Sequence, residues 1–61
     1  MTNIKTLVLE NGDIYEGCSV DMTDTEFLQR VNQGKFFILN LNFDGQAVFI
    51  NPRHIVSYEL E

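Results

Sequence analysis

The run Lys5-Thr6-Leu7-Val8-Leu9-Glu10, followed by Asn11-Gly12 and then Asp13-Ile14-Tyr15-Glu16-Gly17, reads as a β-hairpin. Asn-Gly between two β-prone runs favours a two-residue type I′ turn, because both central positions of that turn need positive φ. A two-residue turn sets Leu9 opposite Ile14, Val8 opposite Tyr15 and Leu7 opposite Glu16. Alternation along the strands then puts Leu7, Leu9, Ile14 and Cys18 on one face. Ile4, Thr6, Val8 and Tyr15 fall on the other. Both faces are partly apolar, so the hairpin is expected to be covered on both sides, by barrel closure or by a partner subunit.

Outward from this hairpin the pattern changes at residues 22–34. Thr23-x-x-Glu26 is a capping box, and Asp24 and Glu26 sit in the first turn, where the helix dipole favours anions. Met22 and Phe27 have the spacing of a hydrophobic staple. Phe27, Leu28 and Val31 form a narrow apolar stripe, and Gly34 suits the residue just past a helix end. The spacing predicts a helix over 24–33. Ten residues do not hold as a helix alone in water, so the stripe must dock on the sheet.

A second hairpin is predicted from Lys35 to Phe43 and from Gln46 to Asn51, joined at Asp44-Gly45. A two-residue turn there sets Leu41 opposite Val48 and Leu39 opposite Ile50. Phe37, Leu39, Leu41, Phe43, Val48 and Ile50 share the core face. Phe36, Ile38, Asn40, Asn42, Ala47 and Phe49 share the opposite one. Asn51-Pro52 ends the strand, because proline lacks the ladder donor. Residues 52–54 are expected to turn, and Ile55–Leu60 to form a last strand with His54, Val56, Tyr58 and Leu60 on one face. The expected fold is one α+β domain over 1–61, in the order β-β-α-β-β-β. It is either a small antiparallel sheet or an SH3/Sm-like partly open barrel.

Leu9-Glu10-Asn11-Gly12-Asp13-Ile14-Tyr15-Glu16-Gly17 resembles the first hairpin of the Sm-like family of small ring-forming barrels. Val48-Phe49-Ile50-Asn51-Pro52-Arg53-His54-Ile55-Val56 resembles that family's final strand–turn–strand. Together the two cover about a third of the chain. The resemblance implies a barrel-like sheet and contact with RNA. The family carries an Arg-Gly-like pair for RNA where this chain has Asn51-Pro52, and its helix precedes the barrel rather than interrupting it. The ending from Ile50 to Glu59 is also similar to endings of uncharacterised small bacterial and phage β proteins, which imply no activity.

Composition narrows the function. Sixty-one residues with one cysteine and one histidine allow no internal disulfide and no metal clip built from those residues. A domain this small buries only about 60% of its unfolded surface, so oligomerisation is the expected support, as a homodimer or larger assembly. A lone thiol fits a cytoplasmic setting. The N-terminus lacks a signal-peptide pattern, and no apolar run is long enough for a bilayer. Net charge is −5, from nine acidic and four basic residues, a poor footprint for phosphates, so nucleic acid is a disfavoured partner.

No catalytic set is predicted. His54 is expected to be an exposed turn residue, and Cys18 a small half-buried one among acidic neighbours that weaken a thiol. Asp13, Glu16, Asp21, Asp24 and Glu26 lack the spacing of a calcium loop, and no cofactor is expected. Tyr15, Phe36 and Phe49 lie off the main core face by this register. With Lys35 and Arg53 at its rim, such a patch reads as an interaction surface. The preferred expectation is therefore a non-enzymatic protein-interaction or regulatory module that self-associates and binds a protein partner. The alternatives are an Sm-like or SH3-like nucleic-acid-binding barrel and a small-ligand binder whose pocket forms between subunits.

Overall fold

The first turn is wider than two residues. In a computed structural model describing residues 1–42 and 44–61, Gly12 N–H donates to Leu9 O at 3.0 Å and Leu9 N–H donates to Asp13 O at 2.9 Å. This is a three-residue loop, Glu10-Asn11-Gly12, of the type I turn plus bulge kind. It needs positive φ at one position only, and Gly12 supplies it at +94°. Asn11 is spared the left-handed region. Its Oδ1 instead accepts from Asp13 N–H at 3.0 Å, an Asx turn.

The extra loop residue moves the register by one. Strand β1 (Thr2–Leu9) and strand β2 (Ile14–Val20) pair Val8 with Ile14, Leu7 with Tyr15 and Ile4 with Cys18. A one-residue slip sends side chains to the opposite face. Leu7, Ile4 and Cys18 are fully buried, while Ile14 is exposed. Tyr15 packs half-buried against the core, so the faces expected from a two-residue turn are corrected here. Ile4 and Leu7 both point inward although three residues apart, because β1 carries an extra residue at Lys5 relative to its other neighbour. Such a bulge reverses the alternation and sharpens the twist.

Helix α1 (Asp24–Gln33) starts and stops where its caps dictate. Thr23 Oγ1 accepts from Glu26 N–H at 3.2 Å. At the other end Gly34 adopts φ +70°. Gly34 N–H then donates to Val31 O, and Lys35 N–H to Arg30 O, the paired bonds of a Schellman closure. The docked stripe is narrower than expected: Phe27 is fully buried, Val31 is half-buried, and Leu28 is exposed. Phe27 meets Phe37 edge-on at 5.2 Å and Tyr58 edge-on at 5.3 Å.

Strands β3 (Phe37–Leu41) and β4 (Ala47–Ile50) pair Phe37 with Ile50 and Leu39 with Val48. This register differs by two residues from the one a two-residue turn would give, because Leu41 N–H already bonds Gln46 O. An even slip leaves the faces intact. Phe37, Leu39, Leu41 and Ile50 are buried and Val48 packs against them, as expected. The expectation for Phe43 lies outside the described residues. Asn51 Oδ1 then accepts from Arg53 N–H at 3.1 Å and caps a single 3₁₀ turn, Pro52–His54. Strand β5 (Ile55–Leu60) follows. Here Val56 is the extra residue against β1, so the pairing jumps from Val8↔Ser57 to Leu9↔Ile55. The expected faces of β5 are corrected accordingly: Ile55 turns to the core and Val56 to solvent.

The sheet runs β4-β3-β2-β1-β5 and is antiparallel throughout. Among the described residues no ladder joins β4 to β5. The fold is a small five-stranded antiparallel α+β sheet with one helix, and it is not closed into a barrel. It is strongly curled all the same. Five flat strands would set the outer two about 19 Å apart, yet only Asn51 and one 3₁₀ turn carry the chain from β4 to β5. The curl wraps the inner face around Phe27. The radius of gyration is 10.3 Å, against about 10.5 Å for a compact domain of this length. One copy therefore closes its own core, and the size argument for a partner loses force.

Candidate interaction surface

The outer face of β3 and β4 remains uncovered. Phe49 is 74% exposed, Phe36 57% and Ile38 47%. Ile38 and Phe49 are cross-strand partners, and Phe36 immediately precedes β3. With Met22, Asn40 and Asp21 they line an open groove of about 480 Å³. Arg30, from the last turn of α1, lines it too, and its Nη1 donates to Phe36 O at 3.1 Å. That bond pins the residue leading into β3 to the helix. Arg30 is also a cation in the last turn of α1, at the negative end of the helix dipole.

The site residues expected from sequence separate into four places. Phe36 and Phe49 meet in the groove. Lys35 lies in the neighbouring hollow with Glu26, Gln29 and Gln33, and Arg30 lines both depressions. Arg53 lies over the end of α1, where a Cβ added at Gly34 would meet its Nε at 3.3 Å. Three of the four basic residues thus gather around one helix end in a chain of net charge −5. Tyr15 does not join them, since it opposes Leu7 on the core side. Ile38 and Arg30 also line the surface, outside the five residues expected there. Ile38 could have been expected there too, because it shares the face of Phe36 and Phe49 by simple alternation.

The groups that could carry chemistry lie apart. Cys18 is fully buried and its thiol points to Ile4 O at 3.8 Å. Burial pushes the thiol above its ordinary value, a backbone hydrogen bond opposes this, and the Glu61 carboxylate adds to the rise. Such a thiol is a poor nucleophile. His54 sits at the far end of β1, facing the Glu10 carboxylate in an exposed pair, about 20 Å along the strand from Ile4. Among the described residues no three His, Cys, Asp or Glu side chains gather as a metal site. No helix among them is long and apolar enough to cross a membrane. Compared with protein-family models, curated proteins and solved structures, the chain finds no match in any of the three.

Proposed function

We propose that this protein is a non-enzymatic protein-interaction module that self-associates through the outer face of β3 and β4. The observation that carries the reading is the solvent-facing group of Phe36, Ile38 and Phe49 beside Arg30 and Asp21. Taking a phenylalanine or isoleucine side chain as roughly 200 Å², these three expose about 350 Å². That is the size of the largest apolar patch on an ordinary small soluble protein, a patch that is often functional. Aromatics with an arginine at their edge are also the residues that dominate binding energy at interfaces. The cationic helix end beside the groove, in a chain otherwise acidic, gives a second copy complementary charge to meet.

In this reading the curled sheet is a partly open barrel of the SH3/Sm-like kind, used as a scaffold. The nucleic-acid binding implied by the Sm-like resemblance has less support. Arg30 donates to Phe36 O, and four basic residues against nine acidic ones make a poor footprint for phosphates. Sedimentation of the wild type and of Phe36→Ser, up to about 1 mM, tests the proposal; that concentration reaches binding of only about −4 kcal/mol. Assembly that weakens in Phe36→Ser with little change in melting temperature supports it. A wild type that stays monomeric throughout that range, and whose mixture with Phe36→Ser behaves no differently, overturns it.

A further inference from the structure

The two edges of the sheet are not equivalent. On β5, Val56 is a bulge, and Glu59 pairs with Lys5 at 3.8 Å. Bulges and charges are the usual guards of a free edge. On β4, the sequence Ala47-Val48-Phe49-Ile50 carries neither a charge nor a bulge, and its pairing with β3 is unbroken. The Leu41–Gln46 bond fixes which groups face inward. By alternation of the antiparallel ladder, Val48 and Ile50 turn their N–H and C=O groups to β3, while Ala47 and Phe49 turn theirs to solvent.

We infer that β4 pairs antiparallel with β4 of a second copy about a two-fold axis at Val48, joining two curled sheets into one of ten strands. The inference rests on the self-association proposed above and deepens it. The register is set by the side chains. With Val48 on the axis, Ala47 of each copy faces Phe49 of the other, so each exposed ring lies over a small residue. An isologous contact needs a self-complementary patch, and a strand reading small–axis–large is one. The strand is uncharged, so two copies of net charge −5 meet there without burying an ion. The area is modest. Pairing covers the edge backbone of β4 with the Ala47 and Phe49 side chains, and leaves Phe36 and Ile38 on the open face, so it falls below the usual size of specific interfaces. A contact this small is weak and concentration-dependent.

The test reads amide exchange by NMR together with sedimentation, on the full chain. In the dimer the Ala47 and Phe49 amides are buried donors and exchange at least about tenfold more slowly at high than at low concentration, as for any group closed by association. Phe49→Lys, at an exposed position that leaves the core untouched, abolishes both the dimer and this protection. Ala47→Pro removes one outward donor and no bond to β3, and weakens the dimer in parallel. A dimer in which these two amides stay freely exchanging overturns the edge pairing while leaving self-association standing. A monomer at every concentration overturns both.

Discussion

Phe27→Ala is the most searching perturbation of this fold. Phe27 is the one fully buried helix residue, and it carries two edge-on aromatic contacts, with Phe37 of β3 and Tyr58 of β5. These strands lie on opposite sides of the β2–β1 pair, so one ring ties the helix to both wings of the curl. Truncating a buried phenylalanine costs about 3–5 kcal/mol. A domain of this length is stable by about 3–9 kcal/mol in all. The variant should therefore stand at the brink of unfolding at room temperature. Phe27→Leu keeps most of the volume and loses both aromatic contacts, each worth about 0.5–1.5 kcal/mol, so it should cost about 1–3 kcal/mol. Urea titration followed by circular dichroism gives both values, and the leucine variant supplies one if the alanine variant does not fold. An alanine variant destabilised by less than about 1 kcal/mol, with unchanged urea slope, would refute the placement of this ring as the keystone of the core.

Four further outcomes follow from named contacts. Thr2→Val removes the hydroxyl whose single proton serves Asp24 Oδ1 at 2.6 Å or Met22 O at 2.9 Å; urea titration should show a loss of about 1–3 kcal/mol. Gly34→Ala forces a side chain into φ +70° and against Arg53, costing about 1–2 kcal/mol in melting experiments. Cys18 holds a thiol raised above its ordinary 9.0 by burial first. The folded state thus keeps its proton where the unfolded state loses it, and stability present below that value falls as the pH rises through it. Urea midpoints should decline in that alkaline window for the wild type and less steeply for Cys18→Ala. For the same reason a thiol reagent at neutral pH should label Cys18 only as fast as the protein opens, and added urea should accelerate it.

The parts legible in the sequence are those fixed by local chemistry. Thr23, Glu26 and Gly34 mark the ends of α1 to the residue. Asn51-Pro52 marks the break before the last strand. The inner face of the second hairpin was legible although its turn was not, because a two-residue error in register preserves which side chains share a face. The first hairpin shows the opposite. One extra loop residue moved Leu7 from Glu16 to Tyr15, and Tyr15 passed from the supposed outer surface to the core side. The bulges at Lys5 and Val56 carry no local signal, since each depends on the strand lying alongside. Phe36 and Phe49 were legible as a surface because they belong to the hairpin whose error was even. Arg53 was placed at the rim of that surface, but its position over Gly34 depends on where the 3₁₀ turn meets α1, which no pattern along the chain reveals.

The unlike edges of this sheet have a consequence for growth. A subunit with two open ends could add copies without limit and build fibres. Here the bulge at Val56 and the Lys5–Glu59 pair make one end a stop. Joining through the other end, as inferred above, would use up the one unguarded edge of each copy. If two copies join through β4, the same asymmetry leaves the pair with two guarded ends and no open strand on which a third could add.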